Sequence, residues 1–124
     1  MHKLNIYFNL KITDEDIDDI MSSALEGGIT YWCNEAKVKD EYLGDYASEQ
    51  ISRGGTLFLH DAEEDKTYEL TEEKLLKGIK RAIEAGYYSQ YTWWDSAGLN
   101  TGNIDAEVAD IIVQLALFGK IIYG

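Results

Sequence analysis

The 124-residue chain has no proline, one cysteine and two histidines, and each shortage removes a class of explanation. A single thiol, Cys33, excludes an internal disulfide framework. With only His2 and His60 beside it, too few soft ligands remain for a structural zinc site. The absence of proline removes the commonest mark of a stiff linker, and neither a low-complexity stretch nor an internal repeat is visible. No apolar run approaches the length of a membrane span, and the first residues lack the basic-then-apolar plan of a signal peptide, so a cytoplasmic location is expected. Basic side chains are also scarce, 11 against 23 acidic ones, for a net charge of -12. That charge repels nucleic acid and anionic lipid, so direct contact with either is disfavoured.

What is present suffices for a core. Hydrophobic residues make up 45% and aromatics 12% of the chain, outside the disorder signature of low hydrophobicity with high charge. A single domain over residues 1–124 is expected. The acids form no tail: residues 1–62 hold 12 acidic and 5 basic side chains, residues 63–124 hold 11 and 6.

Leu4, Ile6, Phe8, Leu10 and Ile12 alternate at period two, as in a half-buried strand. Thr13 before Asp14-Glu15-Asp16 reads as a helix cap with acids at the positive helix end. Ile17, Ile20, Met21, Ala24 and Leu25 then form an apolar stripe closed by Gly27-Gly28. Ile29 to Cys33 reads as a strand reaching as far as Val38, and Glu41 to Arg53 as a loop or short irregular helix. Thr56 to His60 and Thr67 to Leu70, joined by a polar stretch, predict a β-hairpin. A second helix starts at Thr71-Glu72-Glu73 and stops at Gly86. The connection Tyr87 to Gly102 is dense in aromatics, and connections of this length are often functional. A last helix, about Asp105 to Phe118, is apolar on most sides and is expected to be the most buried. Lys120 to Tyr123 is expected to close the sheet. The sum is an α+β domain, with a mainly antiparallel sheet of four to five strands and three helices packed on it.

Chemistry is poorly marked. Cys33, His60 and Asp61 are residue types of a thiol hydrolase, but their spacing specifies nothing and a cysteine in an apolar strand is commonly a small core residue. Asp61, Glu63, Glu64 and Asp65 match a calcium loop in composition only, without its register or central glycine. The glycine pairs match no phosphate-binding motif. Lys74, Lys77 and Arg81 place one basic strip on the second helix, which either grips a phosphate or tempers self-repulsion. No cofactor is implied.

Two features carry more. The first helix bears Asp14, Glu15, Asp18, Asp19 and Glu26 on its outer face; carboxylates three and four apart stand about 5–6 Å apart at Cβ, comparable with neighbouring phosphates on a nucleic-acid strand. The aromatics, Trp32, Tyr42, Tyr46, Trp93 and Trp94 among them, exceed what one small core needs. Tyrosine and tryptophan suit both protein interfaces and base stacking.

The segments Gly27-Gly28-Ile29-Thr30-Tyr31-Trp32-Cys33, Gly54-Gly55-Thr56-Leu57-Phe58-Leu59-His60-Asp61 and Asn103-Ile104-Asp105 through Gln114-Leu115-Ala116-Leu117-Phe118-Gly119 resemble a group of small acidic proteins encoded by phages and integrated elements of anaerobic gut bacteria. The resemblance spans most of the chain and brings no catalytic residues. It implies antagonism of bacterial defence, by blocking a nucleic-acid-binding effector or by sequestering a nucleotide signal. The leading expectation is a non-enzymatic, anti-CRISPR-like inhibitor that offers Asp14, Glu15, Asp18, Asp19 and Glu26 to a basic host protein, with Tyr42, Tyr46, Trp93 and Trp94 as anchors. The alternative is an oligomeric nucleotide sponge, in which Trp32, Trp93 or Trp94 stacks a base and Lys77 or Arg81 meets phosphate. A small hydrolase or metal-binding protein is a weaker third reading.

Overall fold

A computed structural model describes residues 1–7, 9–87 and 93–124. Thr13 opens helix α1, Asp14–Ser23, with a reciprocal cap: its hydroxyl accepts from the Asp16 amide at 3.0 Å, and the Asp16 carboxylate accepts from the Thr13 amide at 2.9 Å. Ile17, Ile20 and Met21 are buried on the inner face. The helix does not stop at the glycine pair but widens into a π-helical turn, Ala24–Gly28. The segment from Ile29 to Trp32, expected as strand, keeps coiling, because the Ile29 carbonyl accepts from the amides of both Trp32 and Cys33. This coil sets the Trp32 indole in the core, and the strand starts only at Cys33.

Strands β1 (Cys33–Val38), β2 (Leu57–Asp61) and β3 (Lys66–Leu70) form an antiparallel sheet in that order. The hairpin register pairs Leu57 with Leu70 and Leu59 with Tyr68, so Leu57, Leu59 and Leu70 face the core. Helix α2 (Glu72–Ala85) runs from the Thr71 cap to Gly86, which is left-handed at φ 74°. A second, two-stranded sheet pairs β4 (Trp94–Asp95) with β5 (Gly98–Leu99). Among the described residues five strands therefore lie in two sheets of three and two. Helix α3 (Ala106–Phe118) has Asp105 as its cap, and every residue from Val108 to Ala116 is buried. The fold is α+β. Its buried apolar side chains form one cluster contributed by all three helices and the three-stranded sheet.

Both chain ends depart from the sequence reading. Among the described residues no strand forms between Leu4 and Ile12, and Leu4, Ile6 and Tyr7 are exposed; Phe8 lies outside the described residues. Alternation marks a face, but a strand also needs a partner to bond, and among the described residues no strand pairs with this segment. Lys120 to Tyr123 is likewise no strand. A side chain replaces the expected strand partner: the Gln114 carboxamide accepts from the amides of Ile122 and Tyr123 at 2.8 and 2.9 Å and donates to the Tyr123 carbonyl at 3.1 Å.

Candidate interaction surface

With Ile17, Ile20, Met21 and Ala24 packed inward, the opposite face of α1 and its π-helical extension must carry the polar residues. Asp14, Glu15, Asp19 and Glu26 are exposed there. Among the described residues no lysine, arginine or histidine lies within ion-pair distance of these four. Asp18, on the same face, is half-buried and accepts from the Ser52 hydroxyl at 2.6 Å. Asp19 accepts from the Thr101 hydroxyl at 3.0 Å.

The Ser52 bond ties α1 to the loop between β1 and β2, and a 3-10 turn of that loop, Ala47–Glu49, packs on α1. The chain leaves β1 through Asp40, left-handed at φ 63°, a conformation that aspartate tolerates. Gln50, fully buried, then pins the loop from inside, accepting from the Leu43 amide at 3.0 Å and donating to the Glu41 carbonyl at 3.2 Å. Glu49 accepts from the amides of Asp45 and Tyr46, both at 3.0 Å, and pairs with Arg53 at 3.6 Å. Gly44 is part of the same lock, since a Cβ there would stand 2.8 Å from both Glu49 and Arg53 side-chain atoms. On this braced frame Tyr42 and Tyr46 are 61% and 70% exposed. Asp40, Glu41 and Asp45 are exposed between and beside them. The structure thus brings the acidic strip and two of the four expected aromatic anchors onto neighbouring elements.

Other expected site residues are placed differently. Trp93 is 0% exposed and donates its indole N–H to the Tyr87 carbonyl at 2.9 Å, so it is a core residue and not a surface anchor. Trp94 is half-buried. Trp32, 1% exposed and stacked on Tyr123 with ring centroids 5.6 Å apart, offers no free face to a base. Arg81 donates to the Leu115 carbonyl at 2.7 Å, capping the end of α3, and Lys77 pairs with Glu73 at 3.4 Å. Tyr88 and Tyr91 lie outside the described residues.

Cys33 is buried, and burial raises its thiol pKa. It sits opposite Asp61 in the sheet register, one pleat from His60, so the thiol and the imidazole face opposite sides of the sheet. His60 instead meets Thr67 at 2.9 Å and Asp65 at 3.0 Å. Asp61 accepts from the Glu63 and Glu64 amides, shaping the hairpin tip. Among the described residues no group of histidine, cysteine, aspartate or glutamate is placed to hold a metal ion.

One feature the sequence reading missed lies at the far end of α1. Asp110 of α3, buried, accepts from the Tyr31 hydroxyl at 2.5 Å, the Trp32 indole at 2.8 Å and Gln114 at 2.9 Å. Tyr123 donates to the equally buried Asp61 at 2.6 Å. The partly buried hydroxyl end of Tyr31 and its bond to Asp110 push its pKa up to about 12; the bond to Asp61 raises that of Tyr123. The local signal was a polar pair, Asp110 and Gln114, at i and i+4 inside an otherwise apolar helix. Among the described residues no helix is long and apolar enough to cross a membrane. No protein-family model, curated protein or solved structure matches the chain.

Proposed function

We propose that the chain is a non-enzymatic, phage-encoded inhibitor of bacterial antiviral defence that covers a basic, nucleic-acid-binding surface of a host effector. One observation carries the reading: an acidic helix face with no ion-pair partner among the described residues adjoins a loop that holds two tyrosines outward on a hydrogen-bonded frame. The carboxylates supply long-range attraction and a phosphate-like spacing, while the tyrosines supply contact area at small entropic cost because the loop is already ordered. A lone acidic surface serves solubility; exposed aromatics on a braced loop beside it serve contact. The sponge alternative has lost two of its stacking faces, Trp32 and Trp93, to the core.

The test is capture from a nuclease-treated lysate of a defence-bearing bacterium, comparing the native chain with a variant carrying Asp14→Lys, Glu15→Lys, Glu26→Lys and Tyr42→Ala. Asp18 is left intact because it holds Ser52. The native chain should retain a basic protein, displace nucleic acid from it and release it in high salt. Equal retention of that protein by the variant would refute the reading.

A further inference from the structure

The acidic strip of α1 runs through Glu26 to the mouth of a cavity of about 420 Å³, within the range of ligand-binding clefts, roughly 300–1,000 Å³. Gly27, Tyr31, Tyr87, Glu107, Asp110 and Tyr123 line it, with Ile111 and Ile121 in an apolar wall, and among the described residues no lysine, arginine or histidine contributes. Asp110 is the distinctive member. Its carboxylate is more than nine-tenths buried, yet all three groups bonded to it, Tyr31, Trp32 and Gln114, are neutral donors. An ionised carboxylate has about four acceptor positions, so one remains. A buried carboxylate without an opposite charge is costly; among the described residues Asp110 has no ion-pair partner, and it lines a cleft walled by tyrosines.

We infer that this cavity receives a guanidinium group, the arginine side chain of the basic partner, with its charge on Asp110 and its plane against tyrosine. A guanidinium fits better than an ammonium because it is planar, weakly hydrated and stacks on aromatic faces. The positive end of α3 also opens here, but its first turn already carries Asp105 and Glu107. Gly27 leaves the entrance clear: a Cβ added there meets nothing within 4 Å. The assignment rests on the proposed basic partner, since it gives one of that partner's arginines a seat at the end of the acidic strip.

The experiment needs no partner. Agmatine and N-acetyl-arginine amide are titrated into the isolated full chain, following the Trp32 indole N–H and Gln114 side-chain amide resonances. N-acetyl-norleucine amide serves as the uncharged control and inorganic phosphate as the anionic one. Both guanidinium ligands should shift these resonances saturably, and both controls should leave them in place. Asp110→Asn should weaken binding at least about tenfold. Gly27→Phe, which fills the mouth and leaves the buried network intact, should abolish binding without lowering the melting temperature. Equal response to norleucine amide, response to phosphate, or unchanged affinity in a folded Gly27→Phe chain would overturn the assignment. Agmatine binding with no protein captured from lysate would instead leave the cavity standing and remove the partner reading.

Discussion

Tyr31 and Tyr123 are the residues through which two buried carboxylates reach the surface, and their titration should report on the folded state. Both pKa values are raised on folding, that of Tyr31 to about 12, whereas an unfolded tyrosine ionises near 10. Above the unfolded value the unfolded chain binds fewer protons than the native one, so stability falls as pH rises. The contribution of these hydroxyls is therefore complete below about pH 10; that of Tyr31 is lost as pH climbs through about 12, and that of Tyr123, raised further, is lost above it. Denaturant unfolding followed from pH 8 to 12 should show this decline. The Tyr31→Phe chain should lose part of that slope, and an identical slope would contradict the assignment of its hydroxyl to Asp110.

At the scale of elements, α2 and α3 cross in close contact at Gly78. A Cβ there would collide with the Ile112 carbonyl and stand 2.8 Å from the Ala116 Cβ, both on the opposing helix. Gly78→Ala should therefore destabilise by about 1–3 kcal/mol from overpacking, even though alanine in an exposed helix would stabilise by up to ~1 kcal/mol. Chemical denaturation reads this directly, and a gain in stability would show that the helices are not in contact there. Elements with local signals were legible in the chain: the cap at Thr13, the helix starts at Thr71 and Asp105, the stop at Gly86, and the hairpin of β2 and β3. What was illegible depends on distant partners. Among the described residues the period-two run near the N-terminus pairs with no strand, and Gln114 takes the place of a strand beside Tyr123. The candidate site divides in the same way. The strip on α1 follows from helical spacing alone, and the exposure of Tyr42 and Tyr46 from their place in a polar loop. The fate of Trp93 and the meeting of Tyr31 with Asp110, 79 residues apart in sequence, depend on tertiary packing.

For the molecule as a whole, the net charge of -12 has two consequences that separate in the structure. The hairpin tip at Glu63 to Asp65 and the outer edge of β1 project charged residues into solvent. The face formed by α1 and the tyrosine loop adds order and aromatic area to charge, and the α1 strip leads on to a cleft that holds an uncompensated carboxylate. Long-range attraction alone would be screened within about 10 Å at 0.1 M salt, so on the proposed reading tyrosine contacts and a seated arginine would keep a complex together once formed. Binding of the captured partner across a range of ionic strength, for the native chain and for the Asp14→Lys, Glu15→Lys, Glu26→Lys variant, tests this most directly. The account predicts association that slows steeply with salt in the native chain, with a much shallower dependence and weaker binding in the variant. Salt-independent association of the native chain, or equal affinity of the variant, would contradict it.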